Sequence, residues 1–223
     1  WGNASSVLVG DFVYSRAFQL MVAVGNLSVM EVLSDTTVKI AEGEVQQLSE
    51  IGNIDLNEAA YFEVIERKTA QLFAGACEAA AIVAGATPEI SSHMRAFGKS
   101  LGLAFQLIDD FLDYAGDPAQ LGKNVGDDLA EGKLTLPLIQ ALKISAKQDS
   151  AHHQELKSII INKNLNTIAS VISIVQATGA IQYTHDHALE NIVLANESLS
   201  KLPASPYKTA LAELGEYVLA RAS

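Results

Sequence analysis

Residues 105–113 read Phe-Gln-Leu-Ile-Asp-Asp-Phe-Leu-Asp, three carboxylates set in an apolar helical run. No other stretch constrains the fold as much, because buried negative charge is costly unless something positive compensates it. On an ideal helix of about 100° per residue, with Asp109 at zero, Asp113 lies at roughly 40°, Gln106 at roughly 60° and Asp110 at roughly 100°. Phe105, Leu112, Leu101 and Ile108 fall between roughly −40° and −100°, a stripe that faces a core. Gly102, at roughly 20°, removes a side chain from the acidic arc and is expected to leave room for an approaching group. One helix therefore carries a packing face and a carboxylate face side by side. Hard divalent cations, Mg²⁺ above all, take oxygen ligands and share one or two carboxylates with substrate phosphates. A solvated acidic patch is the plain alternative, and for a bare D-D-x-x-D the two readings are even.

The chain is long enough for one domain with a sizeable core, taken as residues 1–223. Aromatics are sparse at 6% while Ala, Leu, Ile and Val abound, so close helix packing and an all-α fold are expected. A formal net charge of −11 argues against a nucleic-acid binder, which needs basic patches. Cys77, the single cysteine, cannot form an internal disulfide and reads as a small core residue. No transmembrane segment is expected: the longest apolar candidate, around 74–86, is short and interrupted by Glu78. No signal peptide is evident, and a cytoplasmic protein is expected. The chain opens on Trp1 in mid-pattern, which reads as a piece of a longer protein.

Helical patterns run over 7–24, with apolar residues on most sides as in a buried or interface helix, and over 29–48, where Glu44 and Gln47 end an apolar stripe. Asp55, with Glu58 three residues on, is expected to cap a helix reaching about Gly85. Thr87-Pro88 starts the pattern leading to the aspartates, with a short break before them. Residues 115–134 are too glycine-rich for a stable helix and read as a mobile loop carrying Lys123 and Lys133. Thr135 and Pro137 open the next helix, and three or four more follow, the last restarted by Ser205-Pro206.

Several familiar chemistries fail. Gly126 to Gly132-Lys133 leaves five residues between the glycines where a P-loop needs four, and Leu134 follows the lysine. His185 and His187, two apart, point to different faces and suit a surface role. No Glu-x-x-His suggests a di-iron bundle. Lys68-Thr69 lies mid-helix, where a lysine can snorkel to solvent; with the threonine hydroxyl beside it, the pair can instead hold a phosphate. Carboxylates for Mg²⁺, a lysine-bearing loop and a Lys-Thr pair converge when the substrate is a diphosphate. Small residues lining the helices leave space for a long apolar group.

Gly102-Leu-Ala-Phe-Gln-Leu-Ile-Asp-Asp-Phe-Leu-Asp113, then Gly122-Lys-Asn-Val-Gly-Asp-Asp-Leu-Ala-Glu-Gly-Lys133 and Thr135-Leu-Pro-Leu, resemble the second aspartate-rich region of trans-prenyl diphosphate synthases. Lys68-Thr69 falls at that family's Lys-Thr motif, and Ala41-Glu-Gly-Glu-Val-Gln-Gln-Leu48 is similar to its long-chain members. The resemblance implies the all-α isoprenoid synthase helical bundle, a homodimer, and condensation of isopentenyl diphosphate onto an allylic diphosphate such as farnesyl diphosphate. The product would be an octaprenyl or similar diphosphate for quinone side chains. It implies Asp109, Asp110 and Asp113 as the Mg²⁺-binding set, Asp109 foremost. It further implies Lys68, Lys123 and Lys133 on the allylic diphosphate, with Thr69 and Gln106 supporting the diphosphate and the developing cation. Of these, Lys68, Thr69, Gln106 and Lys123 would carry the catalytic roles. The family's first aspartate-rich motif, and its basic residues for isopentenyl diphosphate, are expected before Trp1, so residues 1–223 alone are expected to be inactive. A non-catalytic partner subunit and another class I terpenoid synthase are the alternatives; the intact aspartates, loop lysines and Lys-Thr pair favour a synthase.

Overall fold

A computed structural model describes residues 2–115, 126–148, 150–163 and 167–222, and among these it contains helices and no strand. The helices are α1 (Asn3–Val24), α2 (Leu27–Glu50), α3 (Glu58–Ile65), a π-helical segment (Glu66–Ala70), α4 (Gln71–Val83), α5 (Pro88–Ala115), α6 (Asp127–Glu131), α7 (Leu136–Gln148), α8 (Ser150–Asn162), α9 (Ile168–Ala177), α10 (Ala180–Ser200) and α11 (Pro206–Ala220). Helix α5 packs along α4 and α10 and forms the centre of the bundle. Phe97, Leu101, Leu107, Ile108 and Leu112 of α5 are buried with Leu136, Leu138, Leu156 and Val171 in one core.

The local signals explain most boundaries. Thr87 Oγ1 accepts from the Ile90 N–H at the start of α5, and Ser205 Oγ accepts from Lys208 N–H at the start of α11. Four positions correct the sequence expectation. The cap of α3 is Asn57, whose Oδ1 accepts from Ala60 N–H at 3.0 Å, so Asp55 is a loop residue. Helix α5 runs unbroken through 28 residues, because Gly98 and Gly102 are packing contacts and not breaks. A Cβ on Gly102 would sit 2.6 Å from Ala70 Cα, so helix 71–83 and the π segment fill the space expected for a ligand. In the glycine-rich stretch, Gly126 (φ 86°) and Gly132 (φ 79°) bracket a short helix, α6. Positive φ is what glycine supplies at such ends, so these glycines delimit a helix instead of preventing one. Residues 116–125, including Lys123, lie outside the described residues.

Helix α1 is fully or partly exposed along its whole length, with Val7, Leu8, Phe12, Val13, Leu20 and Val22 facing out. Its only charges are Asp11 and Arg16, and its mean hydropathy reaches 1.4. Contrary to the sequence expectation, it is therefore long and apolar enough to cross a membrane by length and composition. Cys77 is half-buried against the core, and burial pushes its thiol pKa up, as suits a packing residue. The two histidines are part-exposed beside surface acids, and each also meets an aromatic ring. His187 lies edge-on to Tyr183 and Phe62, and His185 tilts against Phe111.

Candidate active site

One cavity of about 240 Å³ gathers Lys68, Thr69, Gln106, Asp109, Asp110 and Lys133 from three separate chain segments. Leu56, Val64 and Ile65 supply apolar wall. Its geometry begins with the π segment. The Gln71 N–H reaches back to Glu66 C=O, the five-residue step of a π turn. At about 100° per residue, adjacent α-helical side chains diverge. The wider π turn narrows that angle, and both Lys68 and Thr69 reach the cavity. Lys68 does not snorkel away. Its Nζ donates to Gln47 Oε1 at 2.6 Å and lies 3.2 Å from Glu44.

The acidic arc is more deeply set than a helical wheel suggests. Asp110 and Asp113 are each 2% exposed, as buried as the apolar stripe, while Asp109 is half-exposed. Tyr61 Oη donates to Asp110 Oδ2 at 2.5 Å, and Gln106 Nε2 donates to Oδ1 at 2.8 Å. Gln106 Oε1 in turn accepts from the Thr69 hydroxyl at 2.9 Å. Burial pushes the Asp110 pKa up to about 8, helped by the charges of Asp128 and Asp109 and opposed by the Tyr61 and Gln106 hydrogen bonds. Asp113 does not line this cavity. Its two oxygens accept from the N–H groups of Asp127 and Asp128 at 3.2 and 3.3 Å, holding the start of α6 against α5. Lys133 pairs with Glu131 and lies 3.7 Å from Asp128. Burial works against its charge, but Glu131, Asp128 and Asp110 outweigh it and raise its pKa.

Two partners escaped the sequence. Tyr61 is a polar handle on a core ring, and nothing in the chain says that it meets Asp110 49 residues away. Arg221, just past α11, places Nη2 3.4 Å from Asp109 Oδ1 and its guanidinium 4.9 Å from the centre of the Phe105 ring. A lone arginine near the end of a last helix carries no sequence signal for that contact. Asp128 was visible only as one acid of the loop.

The donor set suits Mg²⁺. Asp109, Asp110 and Asp128 offer hard carboxylate oxygens, and a cation would offset both the burial and, after it, the repulsion from Asp128 and Asp109 that lift the Asp110 pKa. Among the described residues no three metal-binding side chains form a closed cluster. A cation here would complete its shell with water and phosphate oxygens, which is the coordination Mg²⁺ favours.

An all-α bundle with acids and lysines converging on one cavity defines a helical enzyme of the diphosphate-handling class. The comparisons make this specific: the polyprenyl synthetase family model matches residues 1–177, α1 included. The chain is 44% identical to octaprenyl diphosphate synthase of Escherichia coli over 222 residues, 99% of this chain and 68% of that one. It is 42% identical to a geranyl-diphosphate-specific all-trans-nonaprenyl-diphosphate synthase of Rhodobacter capsulatus, again over 99% of this chain and 67% of the relative. A polyprenyl synthase of Caulobacter crescentus, solved with calcium and isoprenyl diphosphate, superposes with a TM-score of 0.91 at 40% identity, covering 100% of this chain and 68% of that one. The chain belongs to the polyprenyl synthetase family and is a prenyltransferase of the prenyl diphosphate synthase type. It spans about two thirds of the length of these relatives.

Proposed function

We propose that the protein is a long-chain trans-prenyl diphosphate synthase that condenses isopentenyl diphosphate onto an allylic diphosphate such as farnesyl diphosphate, giving an octaprenyl or similar product for quinone side chains. The observation that carries the reading is the single cavity in which Lys68, Lys133, Gln106, Thr69 and Asp109 meet. Octaprenyl and nonaprenyl synthases among its relatives support the long-chain range.

Mg²⁺, held through Asp109 and Asp110, would neutralise the diphosphate as the allylic carbon–oxygen bond ionises. Lys68 and Lys133 bind the diphosphate, and their placement on separate segments fixes its orientation. Gln106 and Thr69 face the carbon that becomes positive. Asp113, through the α6 N–H groups, keeps Asp128 and Lys133 in place. No side-chain base is required, since the released diphosphate can accept the proton lost from the new bond.

We further propose that the enzyme is a homodimer whose second copy covers the exposed apolar length of α1, which lies inside the family-matched region. Replacing Phe12 with Glu tests this by sedimentation: a wild-type monomer, or an unchanged dimer in the variant, refutes it. The catalytic reading is tested by incubating the full-length protein with Mg²⁺, farnesyl diphosphate and labelled isopentenyl diphosphate, then separating the products. A ladder ending at octaprenyl or nonaprenyl diphosphate, the products for which two relatives are named, is expected, and cyclic products or none refute it.

A further inference from the structure

Lys163 is an exposed residue that closes the last turn of α8, its N–H reaching Ile160 C=O at 3.2 Å. Its φ is 49°, the one positive φ outside glycine among the described residues. Left-handed backbone is common just past a helix, but glycine or asparagine is the usual occupant, because a Cβ there crowds the next carbonyl. Lysine in this conformation is strained, and where its side chain goes says what the strain sustains. The ammonium does not turn to solvent. Its Nζ donates to the Glu131 carbonyl at 3.4 Å, across 32 residues of chain.

That carbonyl belongs to the end of α6. Gly132 N–H reaches Leu129 C=O at 3.0 Å and Lys133 N–H reaches Asp128 C=O at 2.9 Å, the paired bonds of a Schellman motif. The motif does not satisfy the carbonyls of Glu131 and Gly132. Lys163 Nζ takes the first, and Gly52 N–H, from the turn after α2, takes the second at 2.9 Å. The gap at Gly132 is filled from the same two sides: a Cβ there would lie 2.5 Å from Lys163 Nζ and 3.4 Å from Ile51 Cγ2. The ends of α2, α6 and α8 thus close on one point, immediately before Lys133. Glu131 is tied twice, by its carbonyl to Lys163 and by its carboxylate to Lys133. Lys133 and Ile51 line the cavity, and Lys163 stands behind them without lining it.

We propose that Lys163 is a positioning residue: by capping the Glu131 carbonyl and filling the gap at Gly132, it fixes the end of α6 and so aims the Lys133 ammonium at the diphosphate. The inference rests on the diphosphate reading above and adds to it a residue outside the cavity. It also gives a physical reason for a strained lysine where glycine would be relaxed.

The test is a double-mutant cycle on the full-length protein, read by calorimetric titration of inorganic diphosphate with Mg²⁺ and by steady-state kinetics. Lys163→Met keeps the stem beside Gly132 and removes the ammonium. Lys163→Gly removes the side chain and relaxes the backbone. Each should weaken diphosphate binding about fivefold, part of what a hydrogen bond to a charged group contributes. KM for the allylic diphosphate should rise by the same factor with kcat within about twofold, because Lys133 grips the diphosphate both before and during ionisation. In a Lys133→Ala background the same changes at Lys163 should have no further effect. If Lys163 merely ended α8, Lys163→Gly would bind as wild type. Wild-type binding in either variant, a loss carried by kcat, or losses that add to that of Lys133→Ala overturn the proposal. A wild-type protein that does not bind diphosphate overturns the diphosphate reading itself. If Lys163→Gly fails to fold by helical circular dichroism, Lys163→Met decides by the same outcomes.

Discussion

Gly43 is where α2 touches the catalytic backbone, and Gly43→Ala measures what that contact is worth. A Cβ at Gly43 would lie 2.6 Å from the Lys68 backbone nitrogen, 2.9 Å from Arg67 Cβ and 3.0 Å from Arg67 carbonyl carbon. Ordinary contact begins near 3.4 Å, so α2 and the π segment must part by several tenths of an ångström. Two of the three atoms are backbone and cannot rotate away. Overpacking costs about 1–3 kcal/mol in general, and contact with backbone that cannot move puts this site at about 2–3 kcal/mol, against about 1 kcal/mol regained because alanine is the better helix former. The net loss of about 1–2 kcal/mol corresponds to a melting temperature roughly 2–8 °C lower. The same displacement moves Lys68 relative to Gln47 and the cavity, and misplacement on that scale lowers kcat/KM by about tenfold or more. Gly215→Ala is the control, since its Cβ would meet only the Ile192 side chain at 3.1 Å. It should fall within about 1 kcal/mol of wild type, with normal turnover. Differential scanning calorimetry and steady-state kinetics read both. A Gly43→Ala protein that melts at or above wild type and turns over normally refutes the argument that this approach is tight.

Asp109→Ala should lower turnover by orders of magnitude with its melting temperature little changed, because Asp109 is half-exposed; wild-type rates in a folded variant would remove Asp109 from the mechanism. Asp110 makes the metal-free protein pH-dependent. Its folded pKa of about 8 lies above the ordinary 3.8, so the folded state holds a proton that the unfolded state has lost. Stability is therefore full below about pH 4, falls as pH rises toward 8, and levels off above it. Metal-free Asp110→Asn should lack this decline, and parallel melting profiles from pH 5 to 9 would contradict it. Arg221→Met removes a cation that competes for Asp109, so Mg²⁺ binding without diphosphate should tighten severalfold; weaker binding would show that Arg221 supports the metal site.

The fold class was legible because helical periodicity and small residues leave few alternatives, and the caps Thr87 and Ser205 announced two helix starts. The residues of the cavity were legible too, since polar groups in an apolar run are expensive and stand out: Asp109, Asp110, Gln106 and Lys68 all reach it. What the chain hid was long-range contact. Asp113 looks like its neighbours on a helical wheel, but its partners are N–H groups 14 and 15 residues on, created only when α6 folds. Gly102 looked like space for a ligand because a wheel shows a missing side chain without showing what fills the gap. Asn57 outcompeted Asp55 as cap by two positions, within reach of either reading until the chain direction at Leu56 was known.

The π segment is the least legible feature and the one on which the site depends. Read as an uninterrupted α-helix, residues 58–83 would set Lys68 and Thr69 about 100° apart, and the wider π turn draws them closer together. Nothing in Glu-Arg-Lys-Thr-Ala forbids an ordinary helix. The wide turn is held from outside, by Gly43 pressed against the Lys68 backbone, by Gln47 on the Lys68 ammonium and by Gln106 on the Thr69 hydroxyl. Each of these belongs to α2 or α5. The Lys-Thr pair is therefore a tertiary construction: weakening α2 should disturb Lys68 first, and weakening α5 should disturb Thr69 first.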